Sequence, residues 1–212
     1  VNSDWREVLN QIKSIPPPII ILLLLLQCLT VLLLNIQWTS MALWVSKTVS
    51  FFDMLIVNAV GNIVAAITPG VKVGGEFVRI YELRNRLKMD FLNATIVVGL
   101  QKTLSMFSFL FLTLCSLIWF STVIAIFSIL LAVLIIFSFK PDSIIKLLTK
   151  IFSNSKIILK IEKALRDYSR ILEKLSKDKR KFFNQILLAL LIWLLYAFKM
   201  FIVMKTFNVE MD

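Results

Sequence analysis

Histidine is absent from the 212 residues, and cysteine occurs only twice. The lack of histidine removes the commonest general base and the commonest metal ligand. Cys28 and Cys115 lie in long apolar runs, which predicts small buried side chains without a redox or metal role. Asp53 is the only acid well inside such a run. The sequence therefore predicts no catalytic residue, no metal site and no cofactor.

Apolar residues make up 58% of the chain, and its mean hydropathy is +0.85. A soluble domain is nearer ~45–50% apolar, so this composition is typical of a membrane protein. Segments of roughly 20 apolar residues predict membrane-spanning helices. We therefore expect an all-α, polytopic membrane protein in which residues 1–212 form a single membrane domain. The predicted spans are about 18–38, 48–69, 91–119, 121–139 and 182–204.

The basic residues are distributed unevenly around these spans. Twenty of the 24 Lys and Arg residues lie before residue 14, between 72 and 90, or between 140 and 181. Because basic loops stay inside, we expect a multi-pass protein of the cytoplasmic (plasma) membrane with a cytoplasmic N-terminus. A cleaved signal peptide is the alternative for the first segment, although its apolar core exceeds the usual ~7–15 residues. A re-entrant segment is the alternative for 48–69, although the charge bias favours a span.

The longest basic segment separates the fourth predicted span from the fifth. Its apolar residues recur every three or four positions opposite a face of mixed charge, which predicts cytoplasmic amphipathic helices over 141–180. We interpret the segment as a connector along the inner leaflet. Specific binding of anionic lipid, of a partner protein or of nucleic acid is the alternative for this segment. Because the charge follows membrane sidedness, we expect membrane lipids as partners and no nucleic acid.

Proline and glycine interrupt the chain in one stretch, ITPGVKVGGEFVRIYELRNR (67–86). Pro69 and the glycine after it predict a helix end. Gly74 and Gly75 predict a second sharp turn, followed by an amphipathic helix over about 76–88. In a membrane protein, a broken helix end of this kind points to a binding site.

The start of that helix is a candidate lipid-headgroup site. Free N–H groups and the positive end of the helix dipole attract an anion, and nearby basic side chains suit a phosphate. The alternative is that the glycines only permit turns or close packing, and that the Glu76 carboxylate itself occupies the positive end of the helix dipole. The candidate headgroup residues are Lys72, Gly74, Gly75, Glu76 and Arg79.

Polar residues within the predicted spans extend this site. Asn58 and Asn62 are four residues apart and share a helix face, while Thr68 lies across the turn. Lys102 lies twelve residues after Asp90, which is about 18 Å along a helix. Polar groups at such depth usually face a bundle interior or a cavity. These four residues are candidates for lining a lipid path. Ordinary interhelical hydrogen bonds and a structural or snorkelling lysine are the alternatives.

The helix spacing also predicts two ion pairs, Glu76–Arg79 and Glu82–Arg86.

Residues 62–86, with the pattern TPG…GGE..R.Y.L, resemble the first signature of the flippase-like integral membrane family. This family is also called the lysylphosphatidylglycerol synthase transmembrane region, and the chain is most similar to its archaeal members. The resemblance extends over the whole chain. In one departure, Gln101, Lys102 and Ser105 stand where many members carry an acidic–Arg pair followed by Asp. Members are usually longer, so we expect this chain to be the N-terminal portion of a larger protein.

The resemblance implies a function in lipid handling. It implies a lipid flippase or transporter-like protein that binds an anionic or glycosylated, polyprenyl-linked lipid at the cytoplasmic face. The chain is expected not to be an enzyme, because the aminoacyl-transferase activity of related resistance factors lies in a separate soluble domain. An intramembrane glycosyltransferase is the alternative, with its carboxylate site in the remaining part of the full-length protein. The alternative is a non-transporting scaffold or accessory subunit of a lipid- or glycan-modifying enzyme. A homo-oligomer or a membrane enzyme partner is compatible with either function.

Overall fold

The structure is a computed structural model that describes residues 15–46, 48–68, 73–117, 166, 169–170, 173 and 178–207. Helices make up the ordered elements, and no strand occurs within these ranges. The helices are α1 (Pro17–Val45), α2 (Phe51–Ile67), α3 (Val73–Leu87), α4 (Phe91–Leu117) and α5 (Lys179–Thr206). The prediction of an all-α protein is confirmed.

Three of the helices, α1, α4 and α5, are long and apolar enough to cross a bilayer. They lie over the predicted spans 18–38, 91–119 and 182–204, which confirms a helical membrane protein. By contrast, α2 has 17 residues and measures about 25 Å, less than the ~30 Å hydrocarbon core. The predicted span 121–139 and most of the connector 141–180 lie outside the described residues.

Apolar side chains on the long helices point outward. Leu24 and Leu25 of α1 are both more than half exposed, as expected for side chains that contact lipid rather than protein. The prediction that Cys28 and Cys115 are buried is wrong, because both are exposed. An apolar environment in a membrane protein is provided by lipid as well as by a protein core, and the sequence pattern does not separate the two.

The chain divides into two compact units, Val1–Leu34 with Leu191–Asp212, and Asn35–Leu190. In the first unit, the Lys199 ammonium donates hydrogen bonds to Gln27 Oε1 at 2.7 Å and to Thr30 Oγ1 at 3.1 Å. It also lies 4.5 Å from the centroid of the Tyr196 ring. Uncharged partners on α1 and α5 thus hold the Lys199 ammonium in place, although both helices are apolar.

In the second unit, α5 begins at a charged and capped end. Asp178 Oδ1 accepts a hydrogen bond from the Lys181 backbone N–H at 3.2 Å, and Asp178 Oδ2 lies 2.9 Å from Lys181 Nζ. The hydrogen bond from the Lys181 side chain lowers the pKa of the exposed Asp178 carboxyl. Lys179 and Arg180 beside it are exposed. A charged helix end of this kind does not enter hydrocarbon, so it marks the membrane face where α5 begins.

The helix α3 begins earlier than predicted. It starts at Val73, so Gly74 and Gly75 lie in its first turn and not in a separate turn before it. It ends at Leu87, and Lys88 follows with a left-handed φ of 53°. Only residues 88–90 separate α3 from α4, so the two helices pack against each other as a tight helical hairpin.

Small residues let α2 and α3 cross at close range. A Cβ added at Gly75 would lie 2.5 Å from the Gly61 carbonyl oxygen and 2.7 Å from Ala65 Cβ. These are backbone and Cβ atoms, which cannot swing aside as a flexible side chain can. Glycine at position 75 is therefore required by the packing of the two helices, as is common between membrane helices.

We expect Gly75→Ala to separate α2 from α3 and to lower the free energy of unfolding. Overpacking a close contact costs ~1–3 kcal/mol, which exceeds the ~0.5–1 kcal/mol that alanine gains over glycine within a helix. Thermal unfolding in detergent, followed by circular dichroism, measures the change. Ala66→Val is the control, because it adds volume at an exposed position of α2. Equal losses in the two variants would contradict the close crossing.

Candidate functional site

The start of α3 carries an ionic cluster, defined here as Glu76, Arg79 and Lys102 with the amide of Asn62. Arg79 lies one turn after Glu76, and its Nη1 donates to Glu76 Oε1 at 2.7 Å. Lys102 Nζ of α4 lies 2.6 Å from the same oxygen. Arg79 Nη2 donates to Asn62 Oδ1 of α2. The cluster therefore joins three helices through charged and polar side chains.

Exposure varies sharply across the ionic cluster. The Arg79 side chain is 7% exposed, Glu76 is 19% exposed and Lys102 is 47% exposed. The cluster is thus closed around the guanidinium and open at the lysine. Two cations share one carboxylate oxygen, so the cluster carries a formal net charge of +1.

Two atoms of the ionic cluster are buried without a hydrogen-bond partner among the described residues. These are Glu76 Oε2 and Arg79 Nε. Leaving a buried polar group unpaired costs ~1–3 kcal/mol, and more when the group is charged. The cluster therefore retains hydrogen-bonding capacity beyond its internal contacts.

Gly61 and Trp38 hold the Arg79 side chain in place. A Cβ added at Gly61 would lie 2.6 Å from Arg79 Cγ and 2.7 Å from Arg79 Nε, so glycine leaves the space that the arginine fills. Arg79 Cζ lies 5.5 Å from the centroid of the Trp38 ring, within range of a cation–π contact. Trp38, on α1, is itself fully buried. The guanidinium is thus packed between α1 and α2.

A second polar contact joins α1 to α2 beside the ionic cluster. Asn58 Nδ2 donates to Asn35 Oδ1 at 3.0 Å, and Asn35 Nδ2 donates to the Phe51 carbonyl at 3.0 Å. Asn58 is therefore engaged in an interhelical hydrogen bond, which was the alternative to a path-lining role. Asn35 and Trp38 were not among the predicted site residues, although an isolated asparagine in an apolar helix is itself a signal of polar contact.

The other predicted residues fall in different places. Thr68 Oγ1 bonds the Val64 carbonyl of its own helix at 2.5 Å, and its side chain occupies the space beside Gly74. Gly75 serves the helix crossing. Lys72 lies outside the described residues. Among the described residues, no group of three His, Cys, Asp or Glu side chains has the geometry to hold a metal ion.

The second predicted ion pair provides a contrast on the same helix. Arg86 Nε donates to Glu82 Oε2 at 2.6 Å, and Arg86 is 41% exposed. Both i,i+3 and i,i+4 pairs on α3 are thus confirmed. The arginine at the start of α3 is buried and its carboxylate partner is shared with Lys102, whereas the arginine near the end of α3 is exposed.

A family model described as the lysylphosphatidylglycerol synthase TM region matches residues 1–212. The chain belongs to this family. The predicted resemblance is therefore confirmed over the whole length, and it identifies a membrane protein of lipid-related function. Comparisons with curated proteins and with solved structures give no significant match.

Glu76→Gln is expected to destabilise the folded protein by about 3 kcal/mol, because it leaves a buried guanidinium without its carboxylate. Glu82→Gln removes an i,i+4 pair on the same helix whose arginine is exposed, and it is expected to cost ~0.5 kcal/mol or less because that cation stays hydrated without its partner. Thermal unfolding of both variants in a neutral detergent measures the difference. A loss in Glu76→Gln no larger than that in Glu82→Gln would show that the ionic cluster does not stabilise the fold.

Proposed function

We propose that the ionic cluster binds the anionic headgroup of a membrane lipid and that the protein moves such lipids between leaflets as a flippase. One observation carries the proposal: Arg79 and Lys102 share a single carboxylate oxygen at a crossing of three helices. The resulting net positive charge lies in a largely buried setting. An uncompensated charge in a low-dielectric region attracts a counter-ion strongly.

A phosphate group suits the donors of this site. Arg79 offers a guanidinium, which binds phosphate oxygens in a fixed geometry, and Lys102 offers a mobile point charge. Because Lys102 is the more exposed of the two cations, a headgroup would meet the lysine before the arginine. The helices around the cluster belong to a membrane protein, where the abundant anion is a lipid phosphate. This supports anionic lipids or polyprenyl-linked phosphate lipids as the substrate class.

Glu76 would compete with the headgroup for the same two cations. When a phosphate approaches, Lys102 can exchange the carboxylate for a phosphate oxygen without leaving a charge unpaired. The reverse exchange releases the lipid. Binding and release by this route need no covalent chemistry, which supports transport over an enzymatic function. The basic segments at 72–90 and 140–181 support access from the cytoplasmic leaflet.

Arg79→Gln and Lys102→Gln are expected to weaken binding of anionic lipid by about tenfold or more, since a hydrogen bond to a charged group contributes ~1.5–3 kcal/mol. Both variants should lose translocation of fluorescent phosphatidylglycerol in proteoliposomes. Arg86→Gln removes a cation from the exposed pair on α3 and should behave as wild type. Unchanged translocation in both cluster variants would overturn the assignment of the site.

Glu76→Gln separates a binding role from a structural one. The substitution removes the carboxylate that competes with the headgroup for Arg79 and Lys102. Adding phosphatidylglycerol to phosphatidylcholine nanodiscs should therefore raise the thermal stability of the variant more than that of wild type. Its translocation should nevertheless be lost, because release requires the carboxylate. Inorganic phosphate is the second probe, and it should stabilise the protein less than the lipid does. A smaller gain from phosphatidylglycerol in Glu76→Gln than in wild type would refute the competition.

A further inference from the structure

One hydrogen bond in the second unit conflicts with the predicted membrane topology. Gln185 Nε2 donates to Ser40 Oγ at 2.8 Å. The predicted spans place Ser40 just beyond the outer end of 18–38 and Gln185 just inside the inner end of 182–204. Those two positions would be separated by most of the ~30 Å hydrocarbon core. The contact therefore excludes a topology in which both segments begin on the same face.

The contact lies close to one end of each helix. Ser40 is about 8 Å along α1 from Val45, and Gln185 is about 9 Å along α5 from Lys179. The charged residues around Asp178 mark the face where α5 begins. From these positions we infer that α1 ends at the same membrane face where α5 begins, and that α2 and α3 form a re-entrant hairpin at that face. This inference does not depend on the proposed function.

The hairpin follows from the number of crossings. If Val45 and Lys179 lie on one face, the chain between them crosses the bilayer an even number of times. The sequence predicts three crossings there, 48–69, 91–119 and 121–139. Of these, the segment 91–119 contains α4, which is long enough to span, whereas the segment 48–69 contains the short α2. With 121–139 kept as a span predicted from the sequence, we assign the non-crossing segment to the one that contains α2.

The exposure pattern of α3 supports its position inside the bilayer. In its first turns, Phe77 and Tyr81 are 67% and 60% exposed, while Arg79 is 6% exposed. Apolar side chains that face outward around a buried charge are expected in lipid and not in water. In the last turn the exposed residues are polar or charged: Arg84, Asn85 and Arg86. The helix α3 thus changes from a lipid-facing surface to a water-facing surface as it approaches α4.

The end of α2 shows the same pattern. Ile63 and Ile67 are 62% and 74% exposed, while the polar Asn58 is buried. An exposed isoleucine as the last residue of α2 suits a hairpin tip in hydrocarbon. Lys102 lies eleven residues after Phe91, about 17 Å along α4, and it meets Glu76 at this depth. The ionic cluster therefore lies at this depth within the bilayer.

In this topology the N-terminus lies on the opposite membrane face from the one that the charge rule predicts. Because α1 is long enough to span, residues before Pro17 would lie on the face opposite to the basic connector. Arg6 and Lys13 then leave the basic face and Lys47 joins it. With Lys72 and Arg79 assigned to the re-entrant segment, seventeen Lys and Arg residues remain on that face against three on the other. The charge bias on which the positive-inside rule rests is preserved.

Cysteine accessibility tests the topology in the full chain. With Cys28 and Cys115 replaced by alanine, single cysteines are introduced at Thr48, Lys88 and Arg180, and a membrane-impermeant maleimide is added to sealed vesicles of known orientation. All three positions should label from the same face. Ile15→Cys is the control for sidedness. In vesicles whose other three cysteines label from the outside, Ile15→Cys should label only after the vesicles are permeabilised. Size-exclusion profiles like that of wild type establish folding.

Two outcomes would overturn the inference, and they differ. Labelling of Thr48→Cys and Arg180→Cys from opposite faces would restore the five-span topology and refute the shared face. Labelling of those two from one face with Lys88→Cys on the other would refute the hairpin, since α2 with α3 would then cross. Neither outcome bears on lipid binding, which is measured separately with Arg79→Gln and Arg86→Gln.

Discussion

The Glu76 carboxylate is the contact on which the described part of the second unit depends. It accepts Arg79 from its own helix and Lys102 from α4 at one oxygen, and Arg79 continues to Asn62 of α2 and the Trp38 ring of α1. Four helices are thereby tied to one carboxylate. In a low-dielectric setting, each side chain in this series of contacts fixes the position of its neighbours, because leaving a charged group unpaired is costly.

The glycines make this electrostatic arrangement possible. Gly75 lets α3 approach the Gly61 carbonyl, and Gly61 in turn leaves the space that Arg79 fills. The same two residues thus set both the spacing of α2 from α3 and the position of the guanidinium. A larger side chain at either place would move the cation away from Asn62 and from Trp38. The packing of the two backbones and the position of the Arg79 charge therefore cannot be changed independently in this region.

The sequence predicts those features that depend on neighbouring residues. Apolar runs locate α1, α4 and α5, and helical spacing locates the Glu76–Arg79 and Glu82–Arg86 pairs. It does not predict that Lys102 meets Glu76, or that Asn58 meets Asn35, because these contacts join separate helices. The charge rule likewise does not predict the contact between Gln185 and Ser40. It counts loop charges, and the bias changes little when a short helix is re-entrant.

The re-entrant hairpin and the ionic cluster explain each other physically. A helix of 15 residues with Glu76, Arg79, Glu82, Arg84 and Arg86 cannot lie in hydrocarbon unless its charges are covered. The packing of α3 against α2 and α4 covers the first pair, and its outward Phe77 and Tyr81 face the lipid. The remaining charges lie in the turns that return to the membrane face. Burying a charged pair at the tip of a hairpin brings a cationic site into the bilayer without requiring a charged helix to cross it.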